Sequence, residues 1–162
     1  MATQHKALMA TAREYCRLIE SAQPGNDEWL SELAQLLPRL HALVAVMEPA
    51  SADSGSEPEL DLDLDSRFEM FSHLHETLGD RDSYWLEFDS PRGALPATGS
   101  LADDLTDIYY DLKLGLDRLA IEPDDLAPTL SDWVAGYRIH WGRHLVDAER
   151  HLSALNARNL LA

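Results

Sequence analysis

Near the C-terminus, His140, His144, Asp147 and His151 recur at steps of three and four residues. In a helix, residues so spaced share one stripe. Imidazoles at i and i+4 can chelate one metal ion, and carboxylates from a facing helix could complete its coordination. The same groups could instead form an interhelical hydrogen-bond network. With Trp141 and Arg143 they could also form a surface that meets a ligand or a protein. The stripe flanks an apolar band of Trp133, Val134, Tyr137, Trp141, Leu145, Ala148, Leu152 and Leu155. Polar groups beside such a band require partners, and the sequence does not choose among the three kinds.

A second segment offers such partners. Asp104, Asp107 and Asp111 border a helix face made by Leu101, Leu105, Ile108, Leu112 and Leu116. Ser100 is a natural N-cap for that helix, and Asp103 partly mimics the acid of a capping box. Three carboxylates at this spacing repel one another unless a positive or proton-donating group faces them. If the two helices pack antiparallel across a loop near Ile121 to Pro128, the histidines face the aspartates. The first reading is then a polar cluster of His140, His144, Asp147, Asp104, Asp107 and Asp111. No residue is assigned as catalytic, as a metal ligand or as a cofactor contact, and no cofactor is expected. The His-Glu-x-x-His and paired Glu-x-x-His patterns are absent, as are a Gly-rich phosphate loop and a Gly-x-Ser-x-Gly elbow. Gly142, beside Trp141, predicts close approach of a neighbouring element, since glycine inside a helix costs about 1 kcal/mol relative to Ala.

The elements that must position these groups are helical almost throughout. Leu8, Ala12, Tyr15, Ile19 and Ala22 form one stripe that Pro24-Gly25 ends. Asn26 caps a second, with Asp27 and Glu28 in its first turn and Leu30, Leu33, Leu37, Leu40, Val44 and Met47 as its core. Pro38 lies inside it and predicts a kink or a break. A third carries Phe68, Phe71, Leu74 and Leu78, with His73 and His75 on different sides. The last helix is expected from Ser131 to Arg158. Tyr84 to Phe88 is the nearest approach to a strand, and Ser90 to Gly99 reads as a Pro/Gly loop. Trp29, Trp85, Trp133 and Trp141 are expected in the core. The fold class is therefore all-α: a single-domain bundle of about five or six helices over residues 1–162.

One segment is biased. Glu48 to Asp65 holds seven acids, two prolines and neither Lys nor Arg, and is expected to be a mobile acidic loop within the domain. Its Asp61-Leu62-Asp63-Leu64-Asp65 run imitates the opening of an EF-hand loop. Ser66 stands where that loop needs its turn glycine and Ser72 where it needs its bidentate glutamate, so calcium binding is not expected.

Charge limits the partners. The 13 Lys+Arg against 29 Asp+Glu give −16, a surface that repels phosphate backbones and anionic membranes alike. Direct nucleic-acid binding is not expected. The single cysteine, Cys16, has no disulfide partner and reads as a small packed side chain in a reducing compartment. Met1 to Lys6 lacks a basic segment leading into an apolar run, and no stretch reaches membrane-spanning length. A cytoplasmic protein is expected.

The run Ser100-Leu101-x-Asp103-Asp104-Leu105-x-Asp107-Ile108-Tyr109-x-Asp111-Leu112-Lys113-x-Gly115-Leu116 carries a resemblance, together with Ile139-His140-Trp141-Gly142-x-His144-Leu145-x-Asp147-Ala148. These motifs, with Leu36-Leu37-Pro38-Arg39-Leu40 and Tyr84-Trp85-x-x-Phe88-Asp89, resemble a bacterial family of cytoplasmic helical proteins, domain of unknown function 5063. The resemblance covers nearly the whole chain outside the acidic segment. It implies a single helical domain in the cytoplasm, and it implies no activity and no catalytic residues. The leading expectation for function is a non-enzymatic interaction or adaptor domain that meets a basic protein partner. The alternative is a metal-binding helical-bundle protein or enzyme using His140 and His144 with facing aspartates. Nucleic-acid mimicry by the acidic surface is a third.

Overall fold

Apolar side chains at helical spacing drive the first two elements together. In the computed structural model, which describes residues 2–48, 63–86 and 97–161, α1 spans Ala2–Glu20 and α2 spans Asp27–Ala45. Leu8, Tyr15 and Ile19 of α1 are fully buried, as are Leu30, Leu33, Leu37 and Leu40 of α2. The Trp29 indole N–H donates to the Leu18 carbonyl at 2.7 Å and pins the corner between them. Asn26 sits at the N-cap of α2 but its side chain makes no capping bond. Pro38 does not break α2, which continues through it to Ala45. The proline only deprives the Ala34 carbonyl of its usual donor.

α3 (Leu64–Leu78) starts inside the segment read as an acidic loop, so Leu64 and Asp65 are helical. Asp63 caps it by accepting from the Ser66 backbone N–H at 3.1 Å. A helix there excludes an EF-hand loop running on to Ser72. The rest of the acidic run, residues 49–62, lies outside the described residues, as does 87–96. In α3, Leu74 and Leu78 are buried, but Phe68 is 68% exposed and leaves the expected core stripe.

A 3₁₀ turn (Gly79–Arg81) leads to β1 (Ser83–Leu86), which pairs antiparallel with β2 (Ala97–Ser100), Tyr84 opposite Gly99. The part of the Pro/Gly loop that forms β2 is thus a strand. Strands of four residues are too short for an alternating pattern, and Ala-Thr-Gly-Ser has little intrinsic strand preference. Tyr84 covers Gly99 so closely that a side chain on Gly99 would overlap its ring. Trp85 points outward, 67% exposed, unlike the three buried tryptophans.

The hairpin delivers the chain to α4 (Leu101–Ile121), the central helix. Its N-terminus is held twice. Ser100 Oγ accepts from the Asp103 N–H at 3.2 Å. Asp82, 1% exposed, accepts from the Ala102 N–H at 2.7 Å, from Ser100 Oγ at 3.0 Å and from His75 Nδ1 at 2.8 Å. A carboxylate at that end also favours the helix dipole. Toward α1, the Tyr15 hydroxyl donates to the Leu105 carbonyl at 2.9 Å.

The final helical rod differs from a single helix over Ser131–Arg158. It comprises α5 (Leu126–Gly136), a π-turn (Tyr137–Trp141) and α6 (Gly142–Ala157). α5 begins earlier than expected, because Pro128 fits the first turn of a helix, where its missing N–H has no partner to lose. Within the widened turn the Gly142 N–H bonds the Tyr137 carbonyl, five residues back. Gly142 is required by this turn rather than by a neighbouring element: a side chain there would land on the Tyr137 carbonyl oxygen. Gly115 of α4 serves a helix contact, since the Trp133 indole lies against it. Among the described residues no helix is long and apolar enough to cross a membrane.

Candidate functional site

α4 and the rod run antiparallel, so residues early in α4 meet residues late in the rod. His144 Nδ1 lies 2.8 Å from Asp104 Oδ1, and His140 Nδ1 lies 2.7 Å from Asp111 Oδ2. His144 Nε2 lies 3.0 Å from Asp107 Oδ2. The two imidazoles meet edge to face, ring centres 5.3 Å apart. The π-turn is what aims them. It inserts an extra residue ahead of α6 and re-aims His140 relative to the α-helical register.

Each of Asp107, His140 and His144 offers one ligand atom, and the three atoms lie within 4.8 Å of one another. Each of these residues is also held from behind by a group of opposite character. Asp104 and Asp111 occupy the Nδ1 atoms of His144 and His140, leaving Nε2 as the ligating nitrogen. Arg67 of α3 pairs with Asp107 Oδ1, leaving Oδ2 on the histidine side. The Arg67 guanidinium lies over the Tyr110 ring at 5.3 Å. Arg143, exposed at the start of α6, brings its Nε to 3.4 Å from His144 Nε2.

The cluster is graded from core to surface. Asp104 is 4% and His144 8% exposed, whereas the His140 side chain is 39% exposed. Burial raises the pKa of Asp104, against hydrogen bonds from His144 and Tyr84 that pull it down. The Tyr84 hydroxyl donates to Asp104 Oδ2 in a short bond, and burial and this carboxylate push the phenol well up. Hydrogen bonds thus run from Tyr84 through Asp104 to His144, whose far ring nitrogen lies against the Asp107–Arg67 ion pair.

Asp147 and His151 are not among the ligand candidates of this centre. Asp147 lies 3.9 Å from Arg150 on its own helix. His151 Nε2 donates to the Arg81 carbonyl at 2.7 Å and its ring packs on Tyr84, centres 4.7 Å apart. Trp141 is fully buried with its N–H on the Trp133 carbonyl at 3.2 Å, so it packs and meets no partner directly. A second polar group escaped the sequence reading. His41 bonds Glu149 at 2.8 Å and the Tyr137 hydroxyl at 2.9 Å, which braces the π-turn from its other side. Arg67 and Asp82 were also unmarked in the sequence, and Tyr84 stood out only as part of a short strand-like motif, because no local spacing ties them to the histidines.

The comparisons agree with this architecture. The crystal structure of protein BF1032 from Bacteroides fragilis superposes with a TM-score of 0.75 at 20% identity, covering 92% of this chain and 89% of that one. At that identity the likeness is one of fold. Comparison with curated proteins finds no significant match. The model of a family described as a domain of unknown function, DUF5063, matches residues 2–158, and the chain belongs to that family.

Proposed function

We propose that the protein binds a divalent transition-metal ion through His140 Nε2, His144 Nε2 and Asp107 Oδ2. The observation that carries this reading is that all three ligand candidates are oriented from behind, by Asp111, Asp104 and Arg67. Metal-ligating histidines characteristically donate their other ring N–H to a carboxylate, which fixes the tautomer and raises ligand basicity. The Arg143 Nε–H directed at His144 Nε2 is satisfied by a lone pair on that nitrogen. Two acceptors, that lone pair and Asp107 Oδ2, then face each other at 3.0 Å, and a cation between them relieves their repulsion. Two imidazoles and one carboxylate suit zinc or ferrous iron, with coordination positions left over. The single thiol, Cys16, is buried and unpaired, in keeping with a reducing cytoplasm.

Elemental analysis of the purified protein tests the reading, beside a His140→Ala/His144→Ala variant. Near-stoichiometric metal that disappears in the variant is the expected result. Metal-free protein that shows no thermal shift with Zn, Fe, Mn or Ni overturns it. His140 and His144 would then be structural hydrogen-bond partners of Asp111 and Asp104, and the variant would melt lower. The net charge of −16 favours a second reading, an adaptor that meets a basic protein. Its test is a pull-down whose captured partner is released by salt, and salt-insensitive or absent capture counts against it.

A further inference from the structure

Resting on the metal reading, we infer that the open side of this centre receives a small oxyanion, a carboxylate or a phosphate, clamped by Arg143. Three protein ligands leave at least one position for a bound group. The His140 side chain is 39% exposed and its neighbour Ile139 is 83% exposed, so the centre opens to solvent at the π-turn. Arg143 stands at this opening. Acids outnumber bases 29 to 13 in the chain, yet Arg143 forms no ion pair among the described residues. Among the described residues its contact is the weak one from Nε to His144 Nε2, with neither terminal nitrogen of its fork engaged. When that ring nitrogen ligates an ion, the Nε–H also loses its acceptor and the whole fork is available for bidentate contact with an oxyanion. Arg67 cannot play this part, since its guanidinium is engaged by Asp107 and Tyr110.

Local charge agrees. A divalent ion held by two neutral imidazoles and one carboxylate keeps a net positive charge, and Arg143 adds another. The acidic remainder of the surface repels anions generally, so an anion is retained only where ion and guanidinium act together. The ligand bridges the metal and Arg143.

Cobalt(II) is a suitable probe, because its absorption spectrum reports coordination at a zinc-type site. Cobalt-loaded protein is titrated with inorganic phosphate and separately with acetate, at constant ionic strength. The expected result is a spectral change that saturates with one of the two anions, and the tighter anion identifies the ligand class. Arg143→Ala is expected to weaken that anion about tenfold with cobalt stoichiometry and circular dichroism unchanged. Arg143→Lys recovers part of the loss, because it restores the charge but not the fork. A cobalt spectrum unmoved by both anions, or equal anion affinity in Arg143→Ala, overturns the inference and leaves the metal reading standing. Protein that takes up no cobalt overturns both.

Discussion

Asp104 shows how much one buried carboxylate organises. It is 4% exposed and accepts from both the Tyr84 hydroxyl and the His144 ring, so it orients the imidazole while staying out of water. Burial raises its pKa above the ordinary 3.8. The folded protein therefore binds this proton more tightly than the unfolded chain does. The resulting stability is complete below the unfolded value and is lost as pH rises through the raised folded value. Urea midpoints of wild type and Asp104→Asn, measured from about pH 4 to about pH 7, test this. Any advantage of the wild type should shrink as pH rises across that window. An advantage that grows with pH would show that the hydrogen bonds outweigh the desolvation. Cys16 illustrates the same effect without a site, since burial pushes its thiol up to about 12 and makes it a packed, unreactive side chain.

Among the elements, the π-turn governs the geometry. Tyr137 is gripped by the His41–Glu149 pair and His140 by Asp111, so α2, α6 and α4 all hold one widened turn. Gly142 permits it. Replacing a helical glycine by alanine ordinarily gains up to about 1 kcal/mol. Gly142→Ala should instead lose about 2 kcal/mol, because the new methyl meets the Tyr137 carbonyl and the turn must move. Thermal melts check the sign, and a stabilised variant would show that the turn is dispensable. The same substitution should release metal, as moving the turn separates His140 from His144. The hairpin matters for another reason: it delivers Tyr84 to Asp104, and the turn before it delivers Asp82 to the N-terminus of α4.

For the whole molecule, 29 acids against 13 bases mean self-repulsion in the folded state. Salt screens such repulsion over about 10 Å at 0.1 M. Raising sodium chloride from about 10 mM to about 500 mM should therefore raise the melting temperature by a few degrees. A falling melting temperature would mean that pairs such as Arg118–Asp132, at 2.5 Å, outweigh the net charge. By itself the sequence determined what helical periodicity and capping chemistry determine. Leu101, Leu105, Ile108 and Leu112 are buried as their spacing requires, and Ser100 caps the helix they define. Spacing also put Asp104, Asp107 and Asp111 on one border, with His140 and His144 on another. These are properties of single segments, set by the repeat of one helix. Which groups actually meet depends on how each helix is rotated and seated against the rest of the core. Only the tertiary structure brought Arg67 to Asp107 and His41 to Glu149, removed Asp147 from the cluster and buried Trp141. The π-turn belongs with these, because its cost is met by packing on three other helices rather than by any preference of its own five residues.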